Sequence, residues 1–380
     1  MDAPRILFVD DEVSVLNSLR RGLRLHCRDW QVEFCNSAAD ALVLLPEFDP
    51  WVVVSDKRMP GMNGADFLRA VSKQSPEVVR VLLTGDTSPK VAFEVADIAH
   101  MLISKPFKIE TLIQLLYRAK CLRGLPASQA MRKQLGSIER IPVLPKVYQQ
   151  LVDYLKKDTV DTREVARIIS QDPYILAKLI QLANSAFFGF SSQVSNVHDA
   201  VIRLGIDLIK NLVLCFGVFK QSDSISDRIS DQLFAEAMDI SMLSRQLSLA
   251  CGCRGGEVDD SFILGLLHTV GMLMSGMSII QLEVDNSSRQ PREENVVGAY
   301  LLALWEFEAE FVNAILYQDN PEDAENVTSL CCRLHVAKVV DKARKQGVSA
   351  LDEQSGLNQS LLHSQGLLDD VILWINQFEA

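Results

Sequence analysis

Within the first 120 residues, five short apolar runs alternate with segments whose apolar residues recur at helical spacing, and this alternation constrains the fold more than any other feature. The runs Arg5–Val9, Gln31–Cys35, Trp51–Ser55, Val79–Thr84 and Met101–Ser104 read as strands. Ser14–His26, Ala38–Leu45, Gly64–Lys73, Pro89–Ala96 and Ile109–Ala119 read as helices. Five successive βα units build a parallel sheet with helices on both faces, so residues 1–121 are expected to be an α/β, (βα)5 doubly wound domain.

After Cys121 the texture changes. Gly124, Pro126, Ser128 and Gly136 fall among basic residues, which marks 122–136 as a linker. From Ile138 onward the pattern is helical without strands, giving an all-α domain over 137–335 and a C-terminal extension over 336–380. In it, Asp161 is placed to cap one helix, and Asp172-Pro173 to start another as N-cap and first helical residue. Later helices are expected at Val197–Phe219, Ser230–Ala250, Asp259–Met274, Glu293–Trp305, Glu308–Gln318 and Ser329–Gln346. The last forty residues read as a loosely attached tail ending in an amphipathic helix.

With 380 residues and 48% apolar content, the chain can fill more than one core. It holds no run of about eighteen uninterrupted apolar residues, and its N-terminus turns acidic at once, so neither a membrane span nor a secretory leader is expected. A cytoplasmic location follows. The eight cysteines sit mostly within apolar segments, away from disulfide-scaffold spacings. The Cys251/Cys253 pair is too closely spaced, and too isolated, for a zinc knuckle. A formal net charge of −11 disfavours nucleic acid as a partner, and the basic run Arg118–Arg140 reads as a solvated helix.

Chemistry is concentrated at the strand ends of the first domain. Asp10 and Asp11 follow the first strand, Asp56 the third, Thr84 closes the fourth, and Lys105 follows the fifth. In an open parallel sheet such residues gather at the carboxyl edge, where strand order reverses. Two carboxylates about 4 Å apart repel by about 4 kcal/mol at an effective dielectric near 20, which a divalent cation relieves. Oxygen-only ligation suits Mg²⁺, and a carboxylate beside that ion is placed to take up a phosphoryl group. Lys105-Pro106 is a candidate cis peptide that turns the ammonium inward. Taken singly, Asp11 is more readily a helix cap, Asp56 a turn opener and Lys105 a solvated cation; all five at strand ends together favour a site.

The segments Ile6-Leu-Phe-Val-Asp-Asp-Glu12, Val54-Ser-Asp-Lys-Arg-Met-Pro-Gly-Met-Asn-Gly64, Leu82-Leu-Thr-Gly85 and Ser104-Lys-Pro-Phe107 resemble the response-regulator receiver family. The resemblance implies a CheY-like domain in which Asp56 is the phosphoacceptor. Asp10, Asp11, Asp56 and the Arg58 backbone carbonyl would be the Mg²⁺ ligands, Thr84 the switch hydroxyl and Lys105 the phosphoryl contact. It also implies a sensor histidine kinase as donor and is compatible with a homodimer. Where such receivers carry an aromatic switch residue, this chain has Leu102, so the route to the output is expected to differ, with the face of the fourth and fifth helices the first place to look.

In the helical domain, Ile263–Gly271 resembles the metal-dependent phosphohydrolases of the HD superfamily, which need Asp after the histidine. Here His268 is followed by Thr269, the expected first-ligand region reads Ala235-Glu-Ala237-Met, and a later position reads Tyr317-Gln-Asp319. His268 is therefore expected to be a packed or capping residue. The wider pattern, Ile141-Pro-Val-Leu-Pro145, Ile168–Pro173, Leu179–Ser185, Ala200–Gly205 and Leu264–His268, is similar to the non-catalytic HDOD domain. It implies a response regulator whose output acts by protein–protein contact on a downstream signalling protein. Asn184 is expected to satisfy backbone groups at a helix end, and Gly205 to permit close helix packing. The alternative, a metal-dependent phosphodiesterase of cyclic dinucleotides, is disfavoured by Thr269.

Overall fold

The structure, a computed structural model, describes residues 3–24, 26–85, 98–137, 146–157, 159–184, 194, 196–220, 227–276, 291–305 and 307–379. The chain divides into two compact units, Met1–Val143 with Tyr300–Ala309, and Leu144–Ala299 with Glu310–Ala380.

The first unit holds a five-stranded parallel sheet: β1 (Arg5–Val9), β2 (Gln31–Cys35), β3 (Val52–Asp56), β4 (Val79–Thr84) and β5 (Met101–Ser104), in the order β2-β1-β3-β4-β5. The order reverses between β1 and β3, which opens the crevice at their carboxyl ends. β3 and β4 are buried along their whole length, as their nearly unbroken apolar sequence requires of central parallel strands. Leu7, Val9, Val53, Phe67, Leu68, Val71 and Leu82 form the core on one side of the sheet.

Helices α1 (Val13–Leu23), α2 (Ala38–Phe48), α3 (Gly64–Gln74) and α4 (Ile109–Gly124) match the expected elements to within a few residues. Ser37 and Asn63 cap α2 and α3 by accepting from the amides of Asp40 and Asp66. α2 runs three residues beyond the expected end, through Pro46, and stops at Asp49 in the left-handed region, where Arg5 bonds both its carbonyl and its carboxylate. The helix expected at Pro89–Ala96 lies outside the described residues, as does the Ile141–Pro145 segment. The expected linker is largely helical: α4 continues to Gly124, and α5 (Gln129–Ser137) packs back on α3.

The second unit is helical among its described residues, with α6 (Lys146–Leu155), α7 (Thr162–Ile169), α8 (Pro173–Ala183), α9 (Val197–Leu204), α10 (Ile206–Lys220), α11 (Asp227–Ala250), α12 (Gly256–Leu267) and α13 (Val270–Gly276). α14 (Glu293–Leu304) begins in it, and α15 (Ala309–Leu316), α16 (Ser329–Gln346), α17 (Gln359–Ser364) and α18 (Leu368–Glu379) complete it. Asp161 caps α7, and Asp172 with Pro173 starts α8. Asn184 closes α8 and clasps the Val194 backbone, donating to its carbonyl at 2.8 Å and accepting from its amide at 2.7 Å.

Three expectations are corrected. The long helix expected over 197–219 breaks at Gly205, whose φ of +83° is open to glycine; a Cβ there would meet nothing within 4 Å, so the residue serves a turn rather than close packing. The helix expected over 259–274 breaks at His268-Thr269. The tail is not loosely attached: α18 buries Val371, Trp374 and Ile375, packs on α11, and ends with Glu379 accepting from the Ser349 hydroxyl and the Ala350 amide.

Candidate functional site

Strand ends bring the first domain's charged residues together. Asp10 leaves β1 2% exposed, Asp56 ends β3 at 8%, and Thr84 ends β4 buried. The register sets Val9 against Ser55 and Thr84 against Ser104, so the strand ends lie level along the crevice. The Lys105-Pro106 peptide is cis, as the sequence suggested. The Lys105 ammonium lies 2.5 Å from Asp56 Oδ1 and 3.0 Å from Asp10 Oδ2. Burial lowers the affinity of that amine for its proton, but hydrogen bonds to Asp56 and Asp10 outweigh it and raise the pKa above the ordinary lysine value.

Backbone donors hold the carboxylates in place. The Arg58 amide donates to Asp56 Oδ2 at 2.6 Å, and the Glu12 amide to Asp10 Oδ1 at 2.9 Å. Asp11 stands exposed at the rim of an open cavity that Lys57, Arg58, Met59 and Pro60 also line. Gly64 presses against the end of β3, where a Cβ would lie 1.9 Å from the Asp56 carbonyl oxygen.

Among the described residues, no three of the His, Cys, Asp and Glu side chains group closely enough to hold a metal ion as they stand. The donor set at the crevice is nonetheless all oxygen, two buried carboxylates with a third at the rim, which is the chemistry a hard cation such as Mg²⁺ takes. Leu102 is 40% exposed and pairs in register with buried Leu82.

In the helical unit, His268 closes α12, with its Nδ1 2.6 Å from the Gly265 carbonyl oxygen, and burial pushes its pKa down to about 3. It is therefore a neutral, packed histidine. Thr269 is fully buried. A second cluster, not anticipated from the sequence, surrounds Lys338 of α16. Its ammonium donates to Asp319 Oδ1 at 2.6 Å and Gln318 Oε1 at 2.8 Å. Gln318 in turn donates to Asn295 and to the His268 carbonyl, and Asn295 donates to Asp319. The residues at the expected later ligand position are thus engaged with an internal cation. Cys251 and Cys253 are free thiols.

A family model described as response regulator receiver domain matches residues 6–117, and one described as HDOD domain matches 141–321. The C4-dicarboxylate transport transcriptional regulatory protein DctD of Rhizobium meliloti is 30% identical over 158 residues, covering 39% of this chain and 34% of that protein. The response regulator MprA of Mycobacterium bovis is 30% identical over 148 residues, covering 38% of this chain and 62% of that protein. A crystal structure of the Vibrio cholerae chemotaxis protein CheY4 is 31% identical over 31% of this chain and 98% of its own, with a TM-score of 0.29. The chain spans less than half the length of several curated relatives it matches. The N-terminal sheet is a response regulator receiver domain. After it in sequence, over residues 141–321, the chain carries an HDOD domain.

Proposed function

We propose that the chain is a two-component response regulator in which Asp56 accepts a phosphoryl group from a sensor histidine kinase and so controls a non-catalytic helical output. The observation that carries this reading is the Lys105 ammonium, held between Asp56 and Asp10 at the carboxyl edge of the sheet. An Asp56 oxygen attacks the phosphorus of a phosphoimidazole; the new O–P bond replaces the N–P bond, whose electron pair leaves with the imidazole. Lys105 stays protonated and pairs with a phosphoryl oxygen, while the Thr84 hydroxyl donates to another. Asp10, Asp11, Asp56 and the Arg58 carbonyl would hold Mg²⁺, which when bound offsets the charge that builds up on the phosphoryl oxygens.

The proposed domains are a receiver over 1–121, a connector over 122–136, an HDOD domain over 137–335 and a C-terminal extension over 336–380. The output acts by binding a downstream signalling protein, in the cytoplasm, as a monomer or a homodimer. Three features support a non-catalytic output: Thr269 where an HD enzyme needs Asp, a neutral His268 bound to its own helix, and the Lys338 ammonium engaging Gln318 and Asp319. No helix among the described residues is long and apolar enough to cross a membrane.

The test uses the purified full chain. Label passing from a phosphorylated histidine kinase to wild type but not to Asp56→Asn supports the first half; label on both, or on neither, overturns it. The second half is overturned if the chain binds a transition metal stoichiometrically and hydrolyses a cyclic dinucleotide with it.

A further inference from the structure

Arg80 is the one charged residue of β4, and it is 3% exposed. A buried guanidinium is tolerated only when its donors are met. Here its hydrogen bonds reach carbonyls on three separate segments. Nη1 donates to Pro76 at 3.0 Å and Val78 at 3.2 Å in the turn before β4. Nε donates to Ile98 at 2.6 Å, just ahead of β5, and Nη2 to Gly136 at 2.8 Å, in the last turn of α5. The last contact sets a cation at a helix C-terminus, where the dipole favours it. Burial pushes this guanidinium down to about 10, still protonated at neutral pH, and the His100 ring accepts from the Arg80 amide at 2.9 Å.

A second, independent feature fixes the same spot. At Gly136 a Cβ would lie 1.9 Å from the Pro76 carbonyl oxygen and 3.1 Å from Glu77 Cα, so the end of α5 approaches that turn as only glycine can. The corner between α4 and α5 is tied by Arg132, which donates to the carbonyls of Arg123, Leu125 at 2.7 Å and Ala127 at 3.1 Å. The corner between α4 and α5 is therefore clamped, and in sequence the connector precedes the helical unit.

Arg80, Leu82 and Thr84 alternate along β4 and so share one face, with Arg80 roughly 13 Å from Thr84 at the strand's rise per residue. Leu102 pairs with Leu82 in the middle of that row. Arg80 also grips the entry to β5, the strand that ends beside Lys105. Thr84 thus ends, and Lys105 follows, strands whose opposite ends meet at one guanidinium.

We propose that Arg80 is the coupling residue of this receiver: a latch that holds α5 by the Gly136 carbonyl and passes a shift of β4 or β5 at the phosphorylation site to the connector, in place of an aromatic switch at position 102. This rests on Asp56 being the phosphoacceptor. Rigid strands and a shared hydrogen-bond hub supply the contiguous path such coupling needs.

The experiment is hydrogen exchange on the full chain, with and without acetyl phosphate and Mg²⁺, for wild type, Arg80→Lys and Gly136→Ala. Gly136 lies outside the sheet, so its variant keeps the Asp56 site. Without donor, amides of 129–137 are expected to exchange about tenfold faster in Gly136→Ala than in wild type. With donor, wild type changes exchange in 129–137 and in the helical unit, whereas both variants gain phosphate on Asp56 yet leave the helical unit unchanged. Variants that transmit the change as wild type does, or a phosphorylated wild type whose α5 is unaltered, overturn the coupling. If Asp56 gains no phosphate, the response-regulator reading fails instead, and equal exchange of 129–137 in unphosphorylated wild type and Gly136→Ala overturns the latch itself.

Discussion

Replacing Lys338 by Met tests the idea that the helical unit holds its own internal cation. The ammonium bonds Asp319 and Gln318, and its loss leaves the Asp319 carboxylate with Asn295 at 2.9 Å and Arg292 at 3.5 Å. Stripping one partner from a fully buried pair costs about 3–5 kcal/mol. Both side chains here are about a quarter exposed, and Arg292 remains, so a loss of about 2 kcal/mol is expected. For a unit of this size that is a fall of about 4–8 °C in the midpoint of the helical transition, read by circular dichroism.

Burial draws the Lys338 amine below the ordinary lysine value, but in acid that amine is protonated and only the carboxyl titrates, so the pH dependence there has a definite sign. Burial opposes ionisation of Asp319, but the Lys338 charge and hydrogen bond outweigh it and hold the carboxyl below its ordinary value. The stabilisation is therefore present above the unfolded value of about 3.9 and lost as pH falls through the lower folded value, so the gap between wild type and Lys338→Met narrows toward pH 3. Adding Asp319→Asn to Lys338→Met recovers at least half of the loss, because no stranded charge remains. A single variant as stable as wild type at pH 7, or a gap that widens in acid, refutes the reasoning.

Three further outcomes are expected. Gly64→Ala pushes its Cβ against the Asp56 carbonyl, so intact mass after acetyl phosphate treatment shows at least about tenfold slower phosphorylation, with a lower melting point; unchanged labelling contradicts the close approach. The Lys105 pKa is raised, so its contribution is complete below its unfolded value of about 10.4 and lost as pH rises through the folded value; the stability advantage over Lys105→Met holds at neutral pH and disappears only in strong alkali, as urea titrations at several pH values report. Thr269→Asp puts a carboxylate into a fully buried position beside an already engaged cluster, so calorimetry with Mn²⁺ shows no binding while the unit loses about 2–3 kcal/mol.

Much of the receiver was legible because its signals are local. The five strands fall within a residue of their expected bounds, since four are short apolar runs and β2 alternates polar and apolar residues. The gathering of Asp10, Asp56 and Lys105 at the carboxyl edge followed from the strand topology, and the cis Lys105-Pro106 peptide from the proline. Local signals failed where the cause lay elsewhere. Gly205 and His268-Thr269 break helices whose apolar pattern runs on without interruption, so periodicity could not show the bend. Pro46 lies inside α2 and withholds one backbone hydrogen bond from it, yet the helix runs on to Phe48.

The hydrogen bonds of the Lys338 cluster join residues 19 to 50 positions apart, and no spacing rule gathers them. Arg80 did leave a trace: a lone charge within Val78-Val79-Arg80-Val81-Leu82-Leu83, near the start of a buried strand, needs partners. Its partner Gly136 lies 56 residues away in a segment that read as linker. The anchoring of the tail is illegible in the sequence for the same reason, because the groups that Glu379 binds are 29 and 30 residues upstream.

The most direct measurement is the mass and site of modification of purified wild type after acetyl phosphate and Mg²⁺. A single added phosphoryl group that maps to Asp56 and is absent from Asp56→Asn is the expected result. No added group, or one that maps to any other residue, contradicts the account.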